Sequence, residues 1–114
     1  MKTELEDRTK KFAVAIVRLV RAFPKTVDGF GIGRQVLDSS TSVAANYREA
    51  NRAESRKDFI HKVGVAEKEA SETQYWLEIC QEAPLGDSTE VKRLHKEAGE
   101  LLAILLTIGR NSRR

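Results

Sequence analysis

Hydrophobic side chains recur at steps of three and four residues along four stretches of this chain, so each stretch would carry one apolar face as an α-helix. No stretch alternates apolar and polar residues over a useful length, as a half-buried β-strand would. The pattern predicts an all-α protein with helices at about residues 3–23, 32–52, 55–82 and 87–109. A length of 114 residues fits a single domain, 1–114.

Proline and glycine residues separate these predicted helices. Pro24 ends the first helix, and Pro84 with Gly86 separates the third from the fourth. The glycine-rich segment from Asp28 to Gly33 is predicted to be a flexible turn before the second helix. Four helices joined by short turns most simply form an antiparallel up-and-down four-helix bundle.

The third predicted helix carries two heptad-spaced stripes, one led by Phe59 and another about 100° round the helix. The second stripe is expected to contact another helix of the bundle or another copy of the chain. The fourth helix also spreads apolar residues from Leu101 to Ile108 over more than one face. These features predict a homo-oligomer that buries the excess apolar surface. The second stripe consists of Lys62, Val65, Glu69, Glu72, Trp76 and Ile79.

Two carboxylates of this second stripe, Glu69 and Glu72, need charge partners if they are removed from water. Lys62, Arg48 or Arg52 are the expected partners. The alternative is that both carboxylates are solvated at the surface, as most charged side chains on helices are.

The composition narrows the functional classes. Apolar residues make up 40% and charged residues 32% of the chain, which indicates a folded domain and not a disordered tail. No signal core or bilayer-length apolar run is present, so we expect a cytoplasmic protein with no membrane partner. Cys80 is the single cysteine, and neither it nor the histidines have zinc-ligand spacing, so no disulfide, metal or cofactor is expected.

The net charge of +3 hides an uneven distribution along the chain. The stretch from Arg8 to Val27 contains six basic residues and no acid, whereas that from Glu69 to Val91 contains six acids and no base. A basic helix face suits a phosphate backbone, although it could instead be solvated or pair with the acidic third helix. The candidate nucleic-acid-binding residues are Arg8, Lys10, Lys11, Arg18, Arg21, Lys25, Arg110, Arg113 and Arg114.

Two further patterns carry less weight. No aromatic-rich platform accompanies the basic residues, so sequence-selective recognition of single strands is not expected.

Arg56 and His61 form an Arg-x4-His pair that is similar to the signature of the HEPN ribonucleases, in which the imidazole could transfer a proton. An i, i+5 pair diverges by about 140° on a helix, and so short a pattern arises often by chance.

Three runs together resemble the four-helix bundle family of the 23S rRNA intervening-sequence protein. They are IGRQVLDSSTSVAANYREA at 32–50, RAESRKDFIHK at 52–62 and EKEASETQYWL at 67–77. The resemblance implies a ring-like assembly, most simply a homopentamer. It also implies kinship with the accessory variability proteins of diversity-generating retroelements, which bind nucleic acid and a reverse transcriptase through a basic surface.

The matching motif residues are interpreted as a polar network and an aromatic plug between the second and third helices, structural rather than catalytic. With the neighbouring arginines, this network comprises Asn46, Tyr47, Arg48, Glu49, Arg52, Asp58, Lys62, Glu69, Glu72 and Trp76.

Three functional hypotheses follow from the sequence. The first is a non-enzymatic homo-oligomeric bundle that binds structured RNA or DNA through its basic surface, without sequence specificity. The second is a protein interaction scaffold, such as an accessory factor for a reverse transcriptase. The third is a HEPN-like ribonuclease that uses Arg56 and His61.

Overall fold

The computed structural model describes residues 2–114, and this range is all-helical, with no strand. The described part of the chain measures 44 × 20 × 19 Å along its principal axes. It contains four helices, α1 (Lys2–Arg21), α2 (Val27–Ala50), α3 (Arg56–Glu82) and α4 (Ser88–Ser112).

Each helix packs against two others, because contacts join α1 to α2, α2 to α3, α3 to α4 and α4 back to α1. The apolar faces predicted from the sequence spacing meet in one central core. Full burial of each large side chain stabilises the fold by about 1.5–3 kcal/mol relative to exposure. The largest fully buried aliphatic side chains are Ile16, Val36, Val43, Val63, Leu77, Val91, Leu94, Leu101 and Leu105.

Three short polar side chains begin the helices that follow the turns. Thr26 accepts a hydrogen bond from the Gly29 amide at 3.2 Å, and Ser55 accepts one from the Asp58 amide at 3.0 Å. Asp87 accepts one from the Glu90 amide at 2.9 Å. These bonds satisfy first-turn amides that have no partner within the helix.

The predicted flexible turn at residues 28–33 is wrong, because α2 begins at Val27 and includes this segment. A Cβ atom at Gly29 would overlap the Pro24 carbonyl oxygen, and one at Gly33 would lie 3.0 Å from Val20 Cγ1. These two glycines therefore permit close approach of the chain that leaves α1, and they lie within the helix rather than break it. Close packing outweighs the low helix propensity of glycine here.

The other helix ends differ slightly from the expected positions. α1 ends at Arg21 and α2 at Ala50, each a little before the predicted end. α4 continues past residue 109, its predicted end, to Ser112. Gly109 is buried beside Glu67 of α3, so this glycine serves a close contact between helices.

One chain covers most of the apolar surface that predicted an oligomer. Leu102, Ile104 and Ile108 of α4 are partly buried against the core, as is Trp76 of the second α3 stripe. Leu106 is 44% exposed and is the main apolar side chain of α4 left in solvent. Within residues 2–114, none of the helices has the combination of length and apolar content that spanning a bilayer requires.

Candidate nucleic-acid interface

The basic residues of α1 lie on the side of the helix opposite its core face. Lys11, Arg18 and Arg21 are exposed, whereas Phe12 and Ile16 are buried. None of the three cations is in an ion pair with a described carboxylate, and the same holds for the exposed Lys10 and Lys25. This set, which we call the α1 cation row, consists of Lys10, Lys11, Arg18, Arg21 and Lys25.

Arg8 differs from the α1 cation row because two acids of α4 compensate its charge. Its Nε and Nη2 atoms donate to the two carboxylate oxygens of Glu97 at 2.8 and 2.7 Å, and Nη2 also donates to Glu100 at 2.9 Å. The hydrogen bonds to Glu97 are the main reason that the pKa of Arg8 is raised. Arg8 therefore joins α1 to α4 across the groove between these helices.

The C-terminal arginines lie near residues of α3, whereas Lys25 follows the end of α1. Arg113 Nη1 is 3.9 Å from Glu67 Oε2, and Arg56 at the start of α3 donates to the carbonyl oxygens of Ser112 and Arg114. Pro24, next to Lys25, instead lies beside Gly29 at the start of α2. The exposed Arg110, Arg113 and Arg114 thus form a second basic area, separate from the α1 cation row.

The basic surface continues from α1 onto α2, which the sequence reasoning missed. A groove with a volume of about 530 Å³ between the two helices is lined by the cations Lys10, Arg48 and Arg52 and by the acids Glu6 and Asp7. A smaller cavity of about 260 Å³ near the end of α1 brings Arg21, Lys25, Phe30 and Arg34 together. Phe30 and Arg34 are one helical turn apart, and this spacing could have indicated that they share a face of α2. It was missed because residues 28–33 were predicted to be a flexible turn.

The predicted polar network forms only in part. Lys62 Nζ lies 3.0 Å from Glu49 Oε1, which joins α3 to α2. Arg52 lies 3.5 Å from Glu6 Oε1 of α1, whose other oxygen accepts a hydrogen bond from Asn51 at 2.8 Å. The Asn51 hydrogen bond is the main cause of the lowered pKa of Glu6.

The remaining residues of that network have separate surroundings. The Asn46 side-chain amide donates to Ser42 of its own helix, and Tyr47 is part of the hydrophobic core. Arg48 is exposed beside the α1–α2 groove. Asp58 is half-buried in the first turn of α3, where its amide is capped by Ser55.

Two of the three expected cation partners of Glu69 and Glu72 are engaged elsewhere, since Lys62 pairs with Glu49 and Arg52 with Glu6. The third, Arg48, is exposed and in no ion pair with a described carboxylate. Burial raises the pKa of Glu69, and the neighbouring charges of Glu72 and Asp38 raise it further. None of the three expected cations therefore forms an ion pair with Glu69 or Glu72 among the described residues, so these partners were wrongly predicted. Glu72 is exposed, as in the solvated alternative. Glu69 and Glu72 of α3, together with Asp38 of the neighbouring α2, are called the α3 acidic face below.

Aromatic side chains lie next to this acidic face on α3. Trp76 is half-buried against the core and meets Tyr75 edge to face, with ring centroids 5.2 Å apart and an interplanar angle of 67°. Tyr75 is 54% exposed. The Trp76 plug predicted from the sequence thus covers the core from outside, with Tyr75 in solvent beside it.

Sequence comparison identifies the family of this bundle. The model of the 23S rRNA-intervening sequence protein family matches residues 1–107. The chain belongs to this family. It is also similar to a crystal structure of a protein of unknown function from the S23 ribosomal protein family of Bacteroides thetaiotaomicron. The two share 36% sequence identity over 92% of this chain and 97% of that chain, with a TM-score of 0.84. Comparison with curated proteins gave no match.

For this member of the 23S rRNA-intervening sequence protein family, the residues around the Arg-x4-His pattern do not converge. The hydrogen bonds of Arg56 go to the C-terminal segment, and none of those described joins it to His61, which is exposed. No group of three or more His, Cys, Asp or Glu side chains within the described range could hold a metal ion.

Proposed function

We propose that this member of the 23S rRNA-intervening sequence protein family is a non-enzymatic, homo-oligomeric bundle that binds structured RNA or DNA through phosphate contacts. The observation that carries the proposal is the α1 cation row, whose five charges have no carboxylate partner among the described residues. Exposed cations without internal partners release counterions when they meet a phosphate backbone. Arg34 and Arg48 extend the same surface onto α2.

The proposal includes an antiparallel arrangement of neighbouring helices. Glu6, near the start of α1, bonds to Asn51 just after α2, whereas Val20, near the end of α1, lies against Gly33 in the first part of α2. Between α3 and α4, Glu78 meets His95 and Glu67 meets Arg113. All four contacts are those expected of an up-and-down bundle.

We further propose that copies of this bundle assemble into a closed ring, most simply the homopentamer implied by the family resemblance. Large apolar side chains are exposed on all four helices, with Val27 and Phe30 on α2. Those on the other three support association, namely Val14 on α1, Tyr75 on α3 and Leu106 on α4. A ring would present the α1 cation row several times along one nucleic acid, which strengthens binding without new contacts.

A fluorescence titration of labelled duplex RNA and duplex DNA at several salt concentrations tests the nucleic-acid proposal. If the α1 cation row contacts phosphates, the affinity falls steeply with salt, and Arg18→Glu/Arg21→Glu reduces the slope by about 2. Lys92→Glu/Lys96→Glu is the matched control, because both lysines are exposed on α4 and the charge change is identical. Absence of salt-sensitive binding at low ionic strength would refute the proposal.

The second candidate is an interaction scaffold in which the α1 cation row pairs with acidic surfaces of other proteins or other copies. The α3 acidic face favours it, because burial raises the pKa of Glu69 and no ion pair joins Glu69 to a cation among the described residues. Such a scaffold could serve as an accessory factor for a reverse transcriptase. Arg18→Glu/Arg21→Glu distinguishes the two functions. Loss of assembly supports the scaffold, and loss of nucleic-acid binding by an intact oligomer supports the first proposal.

The proposal assigns no catalysis to Arg56 and His61. Incubation of RNA with the wild-type protein in the presence of a chelator should leave the RNA intact. Metal-independent cleavage that His61→Ala abolishes would instead support the ribonuclease hypothesis.

A further inference from the structure

Phe30 is more exposed than any other aromatic side chain that the structure describes. It is 65% exposed in the first turns of α2, and Val27 one turn before it is 91% exposed. Phe30 lines the shallow cavity of about 260 Å³ together with Arg21, Lys25 and Arg34. The hydrophobic core does not include Phe30, so its aromatic ring is free for another contact.

The backbone beneath Phe30 is held firmly. The Phe30 amide donates to the Thr26 carbonyl oxygen at 2.9 Å, and Gly29 lies so close to Pro24 that no Cβ would fit. Gly33, on the next turn, packs against Val20 and Phe23 of α1. Phe30 is therefore presented from a fixed helix start, which reduces the conformational entropy lost when the ring binds a partner.

The charge around Phe30 is positive. Arg21, Lys25 and Arg34 are exposed, and none is in an ion pair with a described carboxylate. Asp28 is the nearest acid along α2, and its carboxylate is engaged by the Thr26 side chain and by the first-turn amides. The Phe30 ring thus lies among three cations. The nearby acid, Asp28, is already hydrogen-bonded within its own helix start.

We propose that Phe30 stacks on an unpaired base of a single-stranded nucleic-acid segment whose phosphates contact Arg21, Lys25 and Arg34. An aromatic ring among cations is the combination by which proteins bind single strands without reading their sequence. The inference rests on the proposed function and adds a preference for unpaired over paired nucleic acid at this end of the bundle. It is compatible with the expectation from sequence, which excluded only sequence-selective recognition of single strands, because one ring suffices for sequence-tolerant stacking.

Two other occupants fit the surface less well. A second copy joined by a two-fold axis would bring the three cations of each copy together, and like charges would repel. A membrane surface would need a larger apolar area than Phe30 and Val27 supply. A nucleic acid satisfies both the ring and the cations.

The test uses an oligothymidylate strand of about 12 nucleotides, an abasic strand of equal length and a blunt duplex. Phe30→Ala should weaken binding of oligothymidylate by about 5- to 100-fold without changing the salt dependence. The same substitution should leave the affinities for the abasic strand and the duplex unchanged, and Phe30→Trp should retain the wild-type affinity. Val27→Ala is the control for loss of a nearby exposed apolar side chain.

The outcomes separate this inference from the function on which it rests. Equal binding of oligothymidylate by wild type and Phe30→Ala would overturn the stacking role, while salt-sensitive duplex binding would still support the proposed function. A lower oligomer mass for Phe30→Ala in sedimentation would identify an interface between copies and overturn the inference. Loss of sedimentation with vesicles of anionic phospholipid, with unchanged strand binding, would identify a membrane contact and overturn it too.

Discussion

Gly29 and Gly31 are neighbouring glycines of α2 with opposite surroundings. A Cβ at Gly29 would overlap the Pro24 carbonyl oxygen, which is backbone and cannot rotate away, whereas a Cβ at Gly31 would meet nothing within 4 Å. Gly29→Ala should therefore lower the free energy of unfolding by about 1–3 kcal/mol. Gly31→Ala should raise it by up to about 1 kcal/mol, because alanine favours the helix. Urea unfolding followed by circular dichroism measures both, and equal effects of the two substitutions would contradict the close contact at Pro24.

Cys80 is a buried residue of the α3 core face. Burial raises the pKa of its thiol to about 11. The thiolate is the reactive form, so the native protein at pH 8 should react very slowly with a disulfide reagent, and the rate should rise as the pH approaches 11. The unfolded protein in denaturant should react at the rate of an ordinary cysteine. Rapid reaction of the native protein at pH 8 would mean that the α3 core face opens readily.

At the scale of helices, the sequence pattern correctly predicted which residues of α3 are buried, because burial on one face of a helix follows from residue spacing. The step-four and step-three series on α3 placed Val63, Ala66 and Leu77 on one face, and all three are buried. The start of α2 could not be predicted in this way, because Gly29 is a helix breaker by propensity and acceptable only beside Pro24. The position of Pro24 next to Gly29 depends on the path of the turn between α1 and α2, which the spacing of residues does not predict.

In the candidate site, the exposure of side chains could be predicted from the sequence, but their ion-pair partners could not. The exposure of the α1 cation row followed from its position opposite the core face of α1. The partners of Glu69 did not follow, because a lysine or arginine side chain can reach several acids and a small rotation of the helix decides which one it meets. Lys62 meets Glu49 of α2, and Glu69 is left beside Glu72.

The contact between α1 and α4 depends on one arginine. Glu97 binds Arg8 through two hydrogen bonds and has a 23% exposed side chain, whereas Glu100 makes one bond and is 51% exposed. Glu97→Gln should lower the free energy of unfolding by about 1 kcal/mol, and Glu100→Gln by less than about 0.5 kcal/mol. Both substitutions remove one negative charge. A difference between the two variants in thermal unfolding therefore reports the hydrogen bonds to Arg8 and not the change in net charge. A larger effect at Glu100 would show that the bidentate contact is not the important one.

At the scale of the whole molecule, basic and acidic surfaces lie on different sides of one bundle. Val20 packs against Gly33, and Ser39 Oγ accepts a hydrogen bond from Thr73 at 2.8 Å. In the proposed antiparallel arrangement, these two contacts bring Lys10 and Lys11 of the α1 cation row to about the height of Glu69 in the α3 acidic face. If the protein is the interaction scaffold, copies placed side by side pair these faces around a ring, each copy using a different face on each side. If it binds nucleic acid through the α1 cation row, these faces stay unpaired between copies.

Mixing two charge-reversed proteins tests this pairing. Lys10→Glu/Lys11→Glu/Arg18→Glu/Arg21→Glu changes the charge of the α1 cation row from +5 to −3, so that both faces are acidic. Glu69→Lys/Glu72→Lys changes the charge of the α3 acidic face from −3 to +1, so that both faces are basic. Neither variant alone should assemble if these faces join copies. An equimolar mixture should reassemble by alternation, because every contact then joins opposite charges. Alternation cannot close a ring with an odd number of subunits without one like-charged contact, so the mixed assembly should contain an even number of subunits even if the wild type is a pentamer. Mass by light scattering measures the number of subunits in the mixed assembly.

Assembly of either variant alone at the wild-type mass would mean that the α1 cation row is not used between copies and is free to bind nucleic acid.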